Sequence, residues 1–204
     1  MSPPSDASDV GHLPRIGTLL GVWAHPDDEA CLSSGLMSRV RNHGGRVVVV
    51  TATRGQLGAD DPAHPAGARV SERHWLQHGD GTLDDVPISR GAAELMPVIE
   101  DVAPDVIVTF GPGGMTGHAD HRAIWAWTTE AWCRTGRQAE LWYAAPPVTH
   151  PAELSATVRL TGSLLARKCR ALRPSNHTWE DVGCREWWST ERFVSAPRVG
   201  LACA

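Results

Sequence analysis

No stretch of this 204-residue chain approaches the roughly 18 consecutive apolar residues that a membrane-spanning helix requires. The longest apolar run near the start, Ile16 to Ala24, has no basic n-region before it and leads straight into His25-Pro26-Asp27-Asp28. It reads as a buried strand rather than a secretory leader. A basic excess is also missing. Formal net charge is −4 and the pI is near 6.2, so neither a nucleic acid nor a membrane is an expected partner. Cysteine is sparse and scattered. Cys31, Cys133, Cys169, Cys184 and Cys203 are odd in number and never spaced C-x-x-C. That excludes a zinc knuckle, predicts reduced thiols rather than a disulfide framework, and makes a cytoplasmic location the expectation.

What is present is the composition of a folded domain, with 42% hydrophobic and 21% charged residues. Nine tryptophans against one tyrosine and two phenylalanines are expected mostly in the core, with one or two free to wall a binding site. Residues 1–14 are rich in Ser, Pro and Asp and read as a flexible tail, leaving 15–204 as a single domain. Ile16 to Ala24 and the valine-rich run Arg46 to Thr53 read as buried strands, with a helix from about Pro26 to His43 between them. Gly91 to Val102 reads as a helix despite Pro97, and Val106 to Phe110 as another buried strand. A glycine-rich loop to Gly117, a helix from Ala119 to Arg134, a short strand Leu141 to Ala145 and a helix Ser163 to Leu172 follow. The stretch Arg54 to Asp85 has no clear period. Alternating strands and helices predict an α/β fold, a doubly wound, Rossmann-like and mostly parallel sheet.

In such a sheet the working site lies at the carboxyl ends of the strands. Two expected strands end in polar clusters, Ala24-His25-Pro26-Asp27-Asp28-Glu29 and Gly117-His118-Ala119-Asp120-His121. Pro26 holds His25 extended and favours a helix start, which places the acids at the positive end of the helix dipole. His25 and Asp28 can then converge on one point and offer an imidazole nitrogen and a carboxylate oxygen, a donor pair suited to zinc. Asp27 beside them is placed to take a proton from an activated water. His118 or His121 completes a three-ligand set, the other is left to stabilise an oxyanion or protonate a leaving amine, and Asp120 can orient an imidazole. Taken alone, acids at a helix start are more often caps than ligands. Two matching half-sites after two strands make the metal reading the stronger one. Gly111-Pro112-Gly113-Gly114 is neither a Walker loop nor G-x-G-x-x-G, and no G-x-S-x-G elbow occurs.

The two clusters together resemble the PIG-L/LmbE-like family of zinc-dependent N-acetylglucosaminyl deacetylases, whose signatures are A-H-P-D-D-E and G-H-x-D-H. The likeness extends through Thr51-Ala52-Thr53-Arg54-Gly55, Asp80-Gly81, Pro104 to Thr109 and Trp188 to Phe193, covering roughly residues 16–194. The resemblance implies Zn2+ held by His25, Asp28 and His121, with Asp27 as general base. It implies that His118 stabilises the transition state or acts as acid, with Asp120 as its supporting acid, and that Asp80 and Arg69 contact the sugar. This sequence departs from the family at Gln56, where an acid is usual, and in the short span Arg73 to Gly79 between Glu72 and Asp80. A helix and a strand do not both fit there. The expected activity is removal of an N-acetyl or other N-acyl group from an N-acetylglucosamine-type conjugate. The partner is a small N-acetylated sugar or a glycosylated natural product, and the chain is compatible with a homo-oligomer. An amidase acting on a thiol conjugate, or a non-catalytic metal- or sugar-binding module, are the alternatives.

Overall fold

The computed structural model describes residues 7–9, 13–55, 70–171 and 189–197. Its strands, numbered along the chain, are β1 (Ala7–Asp9), β2 (Thr18–Trp23), β3 (Arg46–Thr53), β4 (Glu72–His78), β5 (Val106–Phe110), β6 (Glu140–Ala144), β7 (Ala156–Leu160) and β8 (Thr190–Ser195). The helices are α1 (Asp28–Asn42), α2 (Ile88–Val102), α3 (Gly114–Gly117), α4 (Ala119–Arg134) and α5 (Gly162–Ala171). All eight strands form one sheet in the order β1-β7-β8-β6-β5-β2-β3-β4. From β6 to β4 every pairing is parallel, whereas β8, β7 and β1 add antiparallel strands beyond β6.

The parallel half follows from residue type. β3 reads RVVVVTAT and is buried from Val47 to Thr53, and β5 reads VIVTF and is buried throughout. Neither alternates, because helices cover both faces of a parallel sheet and β-branched side chains pack well on each. From β2 the chain winds outward to β3 and β4, then returns and winds the other way through β5 and β6. With right-handed crossovers those two directions put α1 on one face and α2 with α4 on the other. Trp23, Trp127, Trp132 and Trp142 are fully buried, as expected for most of the tryptophans.

Several elements differ from the sequence expectation. α1 begins at Asp28, with Asp27 as its N-cap, because the Asp28 carboxylate accepts the His25 backbone N–H at 2.7 Å and holds His25 to Asp27 in a turn. α2 starts at Ile88, a turn before Gly91. The stretch without a clear period contains β4, which is the sheet edge and half-buried at most positions, so no apolar run marks it. β7 and β8 were not legible either, since β8 carries Glu191 and Arg192 on an element only partly buried. The residues read as a tail contain β1, which pairs with β7. Cys133 is disulfide-bonded, against the expectation of reduced thiols, while Cys31 and Cys169 are free. No helix among the described residues is long and apolar enough to cross a membrane.

The antiparallel strands are tied to α1 by a buried carboxylate. Glu191 of β8 accepts the Gly35 N–H at 2.8 Å, the Leu36 N–H at 2.9 Å, the Ser34 hydroxyl at 3.2 Å and the Lys168 ammonium of α5 at 2.9 Å. This approach requires glycine at position 35, where a Cβ would lie 3.0 Å from Glu191 Oε2 and 2.9 Å from Leu160 Cδ1. Lys168 is completely buried, so its charge depends on this partner. Glu191→Leu strands that ammonium and is expected to cost about 3–5 kcal/mol of stability in denaturant unfolding. Adding Lys168→Met should regain part of the loss. A single variant within measurement error of the native chain would show that the pair does not hold the layers together.

Candidate metal centre

β2 and β5 lie side by side at the point where the winding direction reverses, the position at which open α/β sheets place their ligands. His25 follows β2 and His121 sits in the first turn of α4, after β5, so the topology alone brings the two polar clusters together. Three donor atoms meet there. His25 Nδ1 lies 3.3 Å from His121 Nε2 and 3.6 Å from Asp28 Oδ2, and His121 Nε2 lies 3.5 Å from Asp28 Oδ1. Metal bonds of about 2.0–2.2 Å at tetrahedral angles put neighbouring ligand atoms about 3.3–3.6 Å apart. The Asp28 carboxylate thus faces both imidazoles, Oδ2 toward His25 and Oδ1 toward His121, and the group could hold a metal ion, since two imidazoles with a carboxylate are a suitable donor set for a first-row divalent ion.

Hydrogen bonds on the far side of each ring point the lone pairs inward. His25 Nε2 is hydrogen-bonded to Asp120 Oδ2 at 3.1 Å and lies 3.0 Å from Asp80 Oδ1, so both carboxylates favour the proton on Nε2 and leave Nδ1 as the candidate donor to a metal. His121 Nδ1 donates to the Gly114 carbonyl at 3.1 Å, which frees Nε2. The His121 ring is also stacked on Phe110 at 4.0 Å and on His118 at 4.7 Å between centroids. Gly114 has φ +60°, and a Cβ there would meet Arg122 Cγ at 3.0 Å and His121 Cβ at 3.1 Å. The next residue, Met115, is held at φ 60° and ψ −64°, so strained backbone adjoins the ligand-supporting carbonyl.

Charge states follow the same contacts. Burial alone would lower the pKa of His25. The Asp120 hydrogen bond and the charges of Asp28, Asp80 and Asp120 overcome it and raise it to about 9. Burial lowers the pKa of His121, helped by the charges of His25 and His118 against the pull of Asp28. Burial opposes ionisation of Asp120, yet its bonds from His25, Gly81 and Leu83 hold its carboxyl below the usual range. Glu29, the last acid of the first cluster, is pushed up to about 7 by burial despite its pairing with Arg73.

The structure brings His25, Asp28 and His121 together with His118, Asp120 and Asp80. The half-buried Asp27 is the α1 N-cap, but its side chain makes no capping bond. His118 is exposed, lies edge-on to His25 at 5.1 Å, and caps α4 by accepting the Asp120 N–H on Nδ1 at 3.2 Å. Its neutral form therefore carries the proton on Nε2. Asp120 does not turn to His118, the partner implied by the resemblance. Its fully buried carboxylate turns to His25 and accepts the Gly81 N–H at 2.8 Å and the Leu83 N–H at 3.1 Å, so three donors neutralise the charge. These bonds also disfavour the alternative cluster of His25, His118 and Asp120 as a metal set. Asp80, assigned to the sugar by the resemblance, contacts His25. Glu72 opens β4 and binds Arg46 at 2.7 Å, away from the centre, while Arg69 and Gln56 lie outside the described residues. The Gly114 carbonyl, the Phe110 face and the Arg73–Glu29 pair carry no motif and were not foreseeable from the sequence.

Residues 20–73 and 63–132 match the family described as PIG-L, GlcNAc-PI de-N-acetylase. A 1D-myo-inositol 2-acetamido-2-deoxy-alpha-D-glucopyranoside deacetylase of Kineococcus radiotolerans is 30% identical over 173 residues, covering 63% of this chain and 48% of that protein. The chain thus spans about half the length of the curated relatives it matches. Among solved structures, the N,N'-diacetylchitobiose deacetylase of Pyrococcus horikoshii superposes with a TM-score of 0.65 at 19% identity, over 89% of this chain and 84% of that one. A 4-carboxy-2-hydroxymuconate hydratase of Pseudomonas putida superposes with a TM-score of 0.59 at 17% identity, over 92% and 99%. These two share the fold, and their different printed activities show that the fold by itself does not select the reaction.

The geometry makes the two histidines of the second cluster unequal. His121→Ala is expected to lose the bound metal, whereas His118→Ala should keep about one ion per chain, as expected for a three-ligand site. Metal content of the purified variants tests this directly. A normal content in His121→Ala would transfer the ligand role to another residue.

Proposed function

The chain belongs to the PIG-L family, and on that footing we propose that it is a zinc-dependent hydrolase that removes the N-acetyl, or another N-acyl, group from an N-acetylglucosamine-type conjugate. The observation that carries this reading is the convergence of His25 Nδ1, His121 Nε2 and the two oxygens of the Asp28 carboxylate, at separations of 3.3 to 3.6 Å, a donor set that suits zinc. Such an ion, when bound, supplies Lewis-acid polarisation and makes water a competent nucleophile near neutral pH.

The remaining chemistry belongs to the chain's own side chains. Asp27 sits one residue before the ligand Asp28, and its carboxylate is not used to cap α1. It takes the proton from the water whose oxygen attacks the amide carbon. His118, with its proton on Nε2, donates to the oxygen of the tetrahedral adduct. The carbon–nitrogen bond then breaks, the nitrogen takes a proton from Asp27 or His118, and the products are a carboxylate and a free amine. A module that only bound metal or sugar has no use for Asp27 beside the ligands, which favours catalysis. The substrate is a small N-acetylated sugar or a glycosylated natural product.

Release of acetate from an N-acetylglucosamine conjugate should disappear on chelation and return with added zinc. Asp27→Asn is expected to keep its zinc while kcat falls by about 10²- to 10⁴-fold, the usual loss for an acid–base group. Asp28→Asn should instead weaken metal binding. The reverse pattern would exchange the two roles.

A further inference from the structure

The described part of the chain holds an acid that neither the metal triangle nor the proton transfers use, and it lies against a ligand. Asp80 Oδ1 is 3.0 Å from His25 Nε2, and both side chains are 12% exposed. The family resemblance gives this position to the sugar, but the contact present here is with the imidazole that must face the metal.

The approach of Asp80 has a cause in the backbone. β3 and β4 pair in register up to Thr51 and Trp75, then Thr53 pairs with His78, so β4 contains an extra residue. The bulge is absorbed at Gln77, which adopts φ +65°, a conformation unfavourable for a residue with a side chain. Beyond it His78 bonds Glu94 at 2.8 Å, and the chain turns through Gly79, Asp80 and Gly81. The Gly81 N–H and, two residues on, the Leu83 N–H are both clamped on Asp120. The turn that carries Asp80 is thus held by the same buried carboxylate that shares the His25 proton. A bulge, a strained residue and two backbone hydrogen bonds converge on one outcome, a second carboxylate against His25 Nε2.

We propose that Asp80 is a positioning residue for the metal ligand His25, acting on the reaction through the orientation and basicity of that imidazole. The role rests on the proposed metal site. The Asp120 hydrogen bond and the neighbouring Asp80 charge keep the ring from turning its Nε2 toward the metal position, and that negative charge strengthens Nδ1 as a donor. The effect is independent of the substrate, because His25 is needed whatever amide is bound.

The test reads metal affinity without substrate. Metal-free native protein, Asp80→Ala and Asp80→Asn are titrated with zinc in competition with a chromophoric chelator. Asp80→Ala is expected to weaken zinc binding by about 10- to 100-fold, the range for lost outer-shell partners of metal ligands. Asp80→Asn, which keeps the side-chain shape but not the charge, should weaken it as well. At limiting zinc, Asp80→Ala should lose activity by similar factors on an N-acetylglucosamine conjugate and on a simple acetamide. Native zinc affinity in Asp80→Ala, with a raised KM for the sugar alone, would overturn the proposal in favour of a sugar contact. Should Asp80→Ala fail to fold, native affinity in Asp80→Asn would likewise overturn it. A native chain that binds no zinc would remove the metal reading itself, a result distinct from either.

Discussion

His25 has two ring nitrogens, and the centre works only if they are kept apart in role. Nδ1 faces His121 and Asp28 across 3.3 and 3.6 Å, and a metal held there would take its lone pair in place of the proton. Nε2 then carries the remaining hydrogen. Asp120 accepts it and Asp80 lies beside it, and both come from segments remote in sequence. Without them the ring has no reason to prefer one tautomer or one rotamer, and the triangle of donors loses a corner. The rest of the site can be understood as what is needed to keep these acids where they are.

Asp120 is the costlier of the two to keep. A carboxylate with no exposed surface is tolerable in a fold only when its charge is shared among donors. Three donors reach it, the Gly81 and Leu83 N–H groups and His25, and each belongs to a different stretch of backbone or side chain than α4 itself. The arrangement therefore couples the first turn of α4, the turn after β4 and the end of β2. Disturbing any of the three disturbs the charge balance of the others. The bulge sets where that turn begins: an unbroken register would pair Gln77 with Thr53 and carry the following turn one residue further along the strand direction.

Much of this was legible in the sequence, and the reasons are local. A strand buried on both faces shows itself as an unbroken apolar run, and β2, β3 and β5 did so. The proposed ligands lie directly after β2 and, past a glycine-rich loop, beyond β5, inside motifs whose residue types leave few alternatives. Legibility failed where an element is buried on one side only or carries charge. β4 is the sheet edge and reads as a mixture of His, Arg, Glu and Gln. β8 hides a buried Glu191 that no periodicity reveals as core. The partner of Asp120 was misjudged for a different reason. The resemblance put it with His118, whereas the fold turns its carboxylate to His25 and to the N–H groups of Gly81 and Leu83. The short segment between Glu72 and Asp80, too short for both a helix and a strand, forms the strand β4.

α1 shows how the part of the fold far from the metal bears on it. Its first turn carries Asp28, bonded to the His25 backbone, and Glu29, bonded to Arg73 of β4. Two turns further on, Glu191 takes the N–H groups of Gly35 and Leu36 and the ammonium of Lys168. At 1.5 Å of rise per residue, these anchor points are roughly 10 Å apart along one rigid rod. Asp28, the proposed ligand, is therefore fixed by polar contacts at its own turn and by the antiparallel strands behind it. A helix pinned at two points cannot pivot about either, and a pivot of even a few degrees at Glu191 would move the Asp28 carboxylate by several tenths of an ångström. A three-donor triangle has that much tolerance and no more before one metal bond must lengthen. The strands added beyond β6 thus contribute to the precision of a site they do not touch.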